Sequence, residues 1–240
     1  MTDAPLFTNR IQAGERLAQV IDTNLQKQFA SGIKPIPIVY ALPRGGLPVA
    51  APIADLLGCP LTVTVAKKIT HPNNSELAIG AVAASGQVLW MEQKLSRFRG
   101  NFQWRKVAVE AALNKAKSIE AQFLPFCPQV DAKGATLILV DDGIATGMTI
   151  AVAAKALSML APAQIWLCAP LAPASLLTWL QKCWDAQKHN GESNLEHRTI
   201  VLATPEPFFS VSNFYAEFPQ VEISEAIMYL SDRGKADRGN

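Results

Sequence analysis

Charge is scarce in this chain. Charged side chains make up 18% of its 240 residues, below the roughly 25% usual for soluble domains. Lys and Arg number 22 against 20 Asp and Glu, a formal charge of +2, so the broad basic surface of a nucleic-acid or membrane binder is not expected. No apolar run approaches the roughly 18 residues of a membrane span. The richest stretch, Ile36 to Ala66, is broken by Arg44, Asp55 and several prolines and glycines. The opening MTDAPLFTNR lacks the charged-then-apolar layout of a secretory signal, and a cytoplasmic location is expected. Cysteines are few and scattered (Cys59, Cys127, Cys168, Cys183), without the paired spacing of a disulfide framework or a zinc site. Against these absences stands a 49% hydrophobic content, too high for a disordered chain and enough for a sizeable core without staples.

Apolar periodicity supplies the architecture. Thr8 and Asn9 suit the cap of a helix on which Leu17, Val20, Ile21, Leu25 and Phe29 recur at helical spacing. Ile36–Leu42 reads as a buried strand, followed by a glycine turn and a helix to about Leu57. Leu61–Ala66 reads as a second strand ending in Lys67 and Lys68, and THPNNS as a polar loop. Leu77–Ala83 and Val88–Met91 flank a Ser85-Gly86 hairpin turn. Trp104, Ala108, Ala112, Ala116, Ile119 and Phe123 mark a long amphipathic helix ended by Pro125 and Pro128. Strands over Thr136–Val140, Ile165–Ala169 and Thr199–Ala203 alternate with two further helices. This order predicts an α/β fold: an open, mostly parallel sheet with helices on both faces, plus an antiparallel hairpin. One domain is expected over 1–230, and a frayed tail over 231–240.

The sharpest signal is LILVDDGIATGMT, from Leu137 to Thr149. A buried strand delivers Asp141 and Asp142 to its C-terminal end, where ligands sit in open α/β sheets. Gly143, Ile144, Ala145, Thr146, Gly147, Met148 and Thr149 then form a loop opening onto a helix. Converging backbone N–H groups and the helix N-terminus make such a loop an anion cradle, and threonine hydroxyls add donors. The carboxylates cannot grip a phosphate. They suit a diol, or Mg²⁺ already bound to substrate oxygens. A lone Asp-Asp-Gly is more often an ordinary capped turn; the whole thirteen-residue pattern instead describes a ribose 5-phosphate site. It is neither a Walker A loop nor Gly-x-Gly-x-x-Gly.

This segment closely resembles the phosphoribosyl-pyrophosphate (PRPP) signature of type I phosphoribosyltransferases. The resemblance implies that fold, with a small hood over the sheet built from the N-terminal helix and 204–230. It implies that Asp141 and Asp142 bind the ribose hydroxyls and take part in holding Mg²⁺, directly or through PRPP and water. Gly143 to Thr149 would hold the 5′-phosphate. Leu42-Pro43-Arg44-Gly45-Gly46 follows the first sheet strand and alone could be a mere turn. The resemblance makes Arg44, Gly45 and Gly46 a pyrophosphate loop and gives Lys67 or Lys68 another pyrophosphate oxygen. Ile69 to Glu76 would be a lid that excludes water during transfer, and His71 within it a further candidate pyrophosphate contact. Glu76-Leu-Ala-Ile-Gly-Ala-Val82 and Thr204-Pro-Glu-Pro-Phe-Phe209 look like a bacterial branch of predicted phosphoribosyltransferases, although His71-Pro-Asn-Asn-Ser stands where that branch has a Gly/Pro-rich loop.

The implied reaction displaces pyrophosphate from C1 of PRPP by a nitrogen acceptor, usually a nucleobase. Asp141, Asp142, Arg44 and Lys67 would carry it, with Mg²⁺ neutralising the leaving group. Relatives acting on 6-oxopurines commonly carry an Asp where this chain has Ala145, so that acid–base chemistry is not expected. Phe208, Phe209, Phe214, Tyr215 and Phe218 form the densest aromatic cluster. They read first as a small satellite core, with Phe208 or Phe209 the candidates to stack on a base. The resemblance also implies a homodimer. The runner-up is a regulatory protein that binds PRPP or a nucleotide without transferase activity, and a more remote alternative is a Mg²⁺-dependent phosphatase or nucleotide hydrolase. No helix-turn-helix or basic stripe supports a DNA-binding repressor.

Overall fold

The computed structural model describes residues 4–71, 74–91, 103–189 and 195–231. Helix α1 (Arg10–Ala30) leads into β1 (Pro37–Ala41), α2 (Gly46–Leu57) and β2 (Leu61–Val63). Strands β3 (Ala66–His71), β4 (Asn74–Ala83) and β5 (Val88–Trp90) follow, then α3 (Gln103–Phe123). The rest alternates: β6 (Thr136–Val140), α4 (Met148–Ser158), β7 (Gln164–Leu171), α5 (Ala174–His189), β8 (Glu196–Ala203) and α6 (Ile223–Ser231). Two sheets result. One has five strands in the order β2-β1-β6-β7-β8, and the other has three in the order β3-β4-β5. Every pairing in the first is parallel and every pairing in the second antiparallel.

The central strands β6 and β7 are buried at every position and almost wholly apolar, because both faces of the sheet are covered. Leu137 and Leu139 of β6 face a layer with Ile150, Val152 and Ala153 of α4. The alternate residues Ile138 and Val140 face Leu17, Ile21, Leu47 and Ile53 of α1 and α2. At Asn9 the side chain caps α1 by accepting from Gln12 N–H at 3.0 Å, and the Gln12 side chain accepts in return from Thr8 N–H. Gly14 lets α1 lie directly on α2, since a Cβ there would run into the Val49 carbonyl. Helix α1 is therefore a helix of the sheet layer, and only its N-terminal end reaches the hood.

The expected strand Leu61–Ala66 is cut in two. β2 stops at Val63, and Ala66, Lys67 and Lys68 instead open the separate sheet, opposite Ala83, Val82 and Ala81. Ile69 and Thr70, expected in a polar lid, belong to the same paired strand, and Ile69 is buried against Ile79, Val82 and Ala108. The lid expected over 69–76 is a hairpin arm wherever it is described; Pro72 and Asn73 lie outside the described residues. Pairing with β4 overrode the local polarity of the sequence. Helix α6 was not expected. Of the tail, Ser231 closes α6 and the remainder lies outside the described residues.

The hood is joined to the start of α1 by backbone bonds. Leu6 and Phe7 N–H donate to the Phe214 carbonyl, and Ala216 and Glu217 N–H donate to the carbonyls of Phe7 and Thr8. This pairing lays residues 214–218 beside Arg10, at the C-terminal edge of the parallel sheet.

Candidate active site

Strand β6 ends at Val140, and the next two residues are the paired acids. Asp141 accepts a hydrogen bond from Asp142 N–H through Oδ1 at 2.9 Å. Burial, followed by the charge of Asp142, pushes the Asp141 carboxyl well up from its ordinary value. Burial also raises Asp142, but there the Arg10 guanidinium pulls the other way. Arg10 Nε donates to Asp142 Oδ2 at 2.8 Å, with both side chains largely buried. Asp142 is thus the member of the pair that Arg10 contacts directly. Its backbone is fixed too, since the buried Tyr215 hydroxyl donates to the Asp142 carbonyl at 2.7 Å.

The loop that follows divides its labour. Ile144 and Met148 are buried in the core and anchor it, whereas Ala145 and Thr146 are exposed. Gly147 takes a left-handed φ of 73° at the start of α4, a conformation costly for a residue with a Cβ. A side chain there would also meet Leu176 and Trp179. The first-turn N–H groups of α4 have no acceptor within the helix, so this turn offers donors beside the Thr146 and Thr149 hydroxyls.

The second loop lies next door. Leu42 N–H donates to the Val140 carbonyl, which places Pro43-Arg44-Gly45-Gly46 against the paired acids. The Pro43–Arg44 peptide bond is cis. A Cβ on Gly45 would collide with the Asp142 carboxylate, and one on Gly46 would lie 2.8 Å from the Val140 carbonyl oxygen. Both glycines are needed for this close approach. The Arg44 side chain turns toward the hood and lies 3.5 Å from Glu222 Oε2.

A cavity of about 650 Å³ opens beside these loops, lined by Pro43, Lys67, Lys68, Asp141 and Thr149 on one side. Its other wall is α3, which contributes Val107, Ala108, Ala111, Ala112 and Lys115. Burial lowers the Lys67 pKa, and the neighbouring charges of Lys115 and Arg44 lower it further. The cavity therefore combines three cations, Lys67, Lys68 and Lys115, with small apolar residues on the α3 wall. It suits a ligand with a strongly anionic end. For Mg²⁺, the hard oxygen donors Asp141 and Asp142 are chemically suitable. Among the described residues there is no cluster of three or more acidic, histidine or cysteine side chains able to hold a metal by itself, so such an ion would share its shell with ligand oxygens.

The expected site residues fall in two places. Asp141, Lys67, Lys68 and Thr149 line the cavity, and Arg44, Gly45, Gly46 and Asp142 form the adjoining rim. Phe208 does not face the cavity: it packs on Phe214, ring centroids 5.3 Å apart, in a satellite core with Phe7 and Tyr215. Phe209 is 79% exposed. His71 rests on Trp104, ring centroids 5.0 Å apart. Two residues escaped the sequence reading. Arg10 shares the buried face of α1 with Ala13, Gly14, Leu17 and Ile21, and a charge in that apolar stripe was the available signal. Lys115 falls on the helical face of Ala108, Ala111 and Ala112, a face that looked like ordinary core.

Comparison with known proteins agrees with this fold. The family model described as the phosphoribosyl transferase domain matches residues 8–197. Proteins from two strains of Mycobacterium tuberculosis, provisionally named phosphoribosyl transferases, are each 30% identical over 237 residues, covering 97% of this chain and 48% of their own length. The chain thus spans about half the length of the curated relatives it matches. The crystal structure of the TT1426 protein from Thermus thermophilus is similar over 94% of this chain and 98% of that one, at 25% identity and a TM-score of 0.71.

Proposed function

We propose, for a chain that belongs to the phosphoribosyl transferase family, that it transfers the 5-phosphoribosyl group of PRPP to a nitrogen acceptor, a nucleobase, and releases pyrophosphate. One observation carries this reading. Asp141 just after β6, Leu42 and Pro43 of the loop after β1, and Lys67 and Lys68 of β3 line one cavity at the C-terminal edge of the parallel sheet.

In this reading Asp141 and Asp142 accept hydrogen bonds from the two ribose hydroxyls. The 5′-phosphate lies on the loop from Gly143 to Thr149, held by backbone N–H groups and by the Thr146 and Thr149 hydroxyls. Pyrophosphate lies over Arg44-Gly45-Gly46, within reach of Lys67, Lys68 and Lys115. As the bond from C1 to pyrophosphate breaks, positive charge develops on the ribose and negative charge on the leaving oxygen. The two acids oppose the first, and the lysines oppose the second. Because the parts are fixed before the ligand arrives, little reorganisation accompanies the reaction. Mg²⁺, bound through Asp141 and Asp142 together with ligand oxygens, would supply further neutralisation of the pyrophosphate. The small residues of α3 leave room for the reacting end of the ligand and shield it from water. Ala145 offers no proton donor or acceptor, so the acceptor nitrogen must lose its proton elsewhere.

Incubation of the protein with PRPP, Mg²⁺ and a panel of nucleobases, following pyrophosphate release, tests the proposal. Release that depends on one of the bases supports it. Tight PRPP binding with no release for any base would replace it with a PRPP-binding regulatory role.

A further inference from the structure

We propose that Arg10 is a positioning residue for the ribose-binding carboxylate, acting on the ligand only through Asp142. The inference rests on the PRPP reading of the site. Three separate contacts hold the guanidinium. Nε donates to Asp142 Oδ2 at 2.8 Å, and Nη1 donates to the Pro219 carbonyl at 2.7 Å. The plane of the group lies over the Phe218 ring, with Cζ 3.6 Å from its centroid. A guanidinium can satisfy a carboxylate, a carbonyl and an aromatic face at once because its donors form a rigid planar fork; an ammonium cannot.

The carboxylate is confined from the other side as well. Gly45 lies so close that any Cβ there would strike Asp142 Oδ2. Oδ2 is therefore wedged between Arg10 and the Gly45 backbone, leaving Oδ1 to accept from a ribose hydroxyl. With the Tyr215 hydroxyl fixing the Asp142 carbonyl, side chain and main chain are each held by a different element. Arg10 itself is only 8% exposed, and its guanidinium is taken up by Asp142, Pro219 and Phe218, so its influence passes through the acid. Its remaining partners, Phe218 and Pro219, belong to the hood. The same side chain thereby ties the hood to the acid that binds the sugar.

A purely structural ion pair would weaken every ligand equally when lost, whereas a positioning role affects only ligands that carry the diol. Titration calorimetry without Mg²⁺, so that no metal links the paired acids to pyrophosphate, separates the two, using PRPP, ribose 5-phosphate and inorganic pyrophosphate against wild type, Arg10→Gln, Arg10→Lys and Phe218→Leu. Loss of a group that orients a ligating side chain commonly weakens binding about 10–100-fold. Arg10→Gln should show that loss for PRPP and ribose 5-phosphate, with pyrophosphate little changed. Arg10→Lys should recover part of it, since an ammonium can still pair with Asp142. Phe218→Leu, which leaves the ion pair in place, should show a smaller loss for the same two ligands. If Arg10→Gln does not fold, the Lys and Phe218 variants decide by the same pattern. A parallel loss of all three ligands, or none of any, overturns the inference. Failure of wild type to bind PRPP when Mg²⁺ is added overturns the reading of the site itself, and the inference with it.

Discussion

Asp142 and Arg10 stand 132 residues apart in the chain, yet Arg10 Nε meets Asp142 Oδ2 at 2.8 Å. Each partner is put in place by its own surroundings. Asp142 is carried to the sheet edge by β6, whereas Arg10 is set there by the cap at Asn9 and by the pairing of Leu6 and Phe7 with the hood. Breaking a buried pair by removing one partner costs about 3–5 kcal/mol. Arg10→Ala should therefore lower the unfolding free energy by an amount in that range, read as a lower denaturant midpoint at an unchanged m-value. A midpoint within error of wild type would show that the pair contributes nothing to stability.

Gly45→Ala is expected to act at the same place from the opposite side. The new methyl group would collide with the Asp142 carboxylate and push it off Arg10. Overpacking of this kind costs about 1–3 kcal/mol, and PRPP affinity should fall with it. Thermal unfolding and PRPP titration read the two effects. Unchanged PRPP affinity would argue against a ribose contact by Asp142.

Lys67 gives the proposed pyrophosphate site a pH signature. Burial, Lys115 and Arg44 all lower its pKa, so it loses its proton at a lower pH than a free lysine. Pyrophosphate affinity should be full below that lowered pKa and decline as pH rises through it. Binding the anion restores the proton, so proton uptake should accompany binding in the same window. Lys67→Arg should abolish the decline, because a guanidinium stays charged throughout.

Lys115→Ala offers an independent check of the α3 wall. Removing one of the two cations beside Lys67 should shift the alkaline decline to higher pH. At neutral pH it should weaken pyrophosphate binding several-fold while leaving ribose 5-phosphate unaffected. Titrations with the two ligands at several pH values would show whether both changes occur.

Gly147→Ala tests the phosphate loop. Its left-handed backbone and the closeness of Leu176 and Trp179 make any side chain unfavourable, by about 1–3 kcal/mol for the backbone conformation alone. Ribose 5-phosphate affinity should drop with the melting temperature. Thr199→Val, in β8 opposite Leu167, should hardly change either quantity.

Much of this molecule was legible along the chain. The apolar run Leu137 to Val140, the two acids and the glycine loop lie within thirteen consecutive residues, and a strand, a turn and a helix start are each dictated by neighbours a few positions away. The parallel sheet followed for the same reason, since uninterrupted apolar strands must be covered on both faces. Long-range pairing was not legible. The polarity of Thr70 to Ser75 pointed to a loop, but the strand runs on to His71 against β4, and Ile69 is buried. The aromatic cluster showed in composition, yet whether Phe208 faced a ligand or Phe214 depended on how the hood folds back. Sequence by itself determined the local cradle for an anion, because backbone geometry and glycine placement are local properties. Only the tertiary structure decided which cations stand around it, because Arg10 reaches Asp142 and Lys115 reaches the cavity through packing between elements remote in the chain.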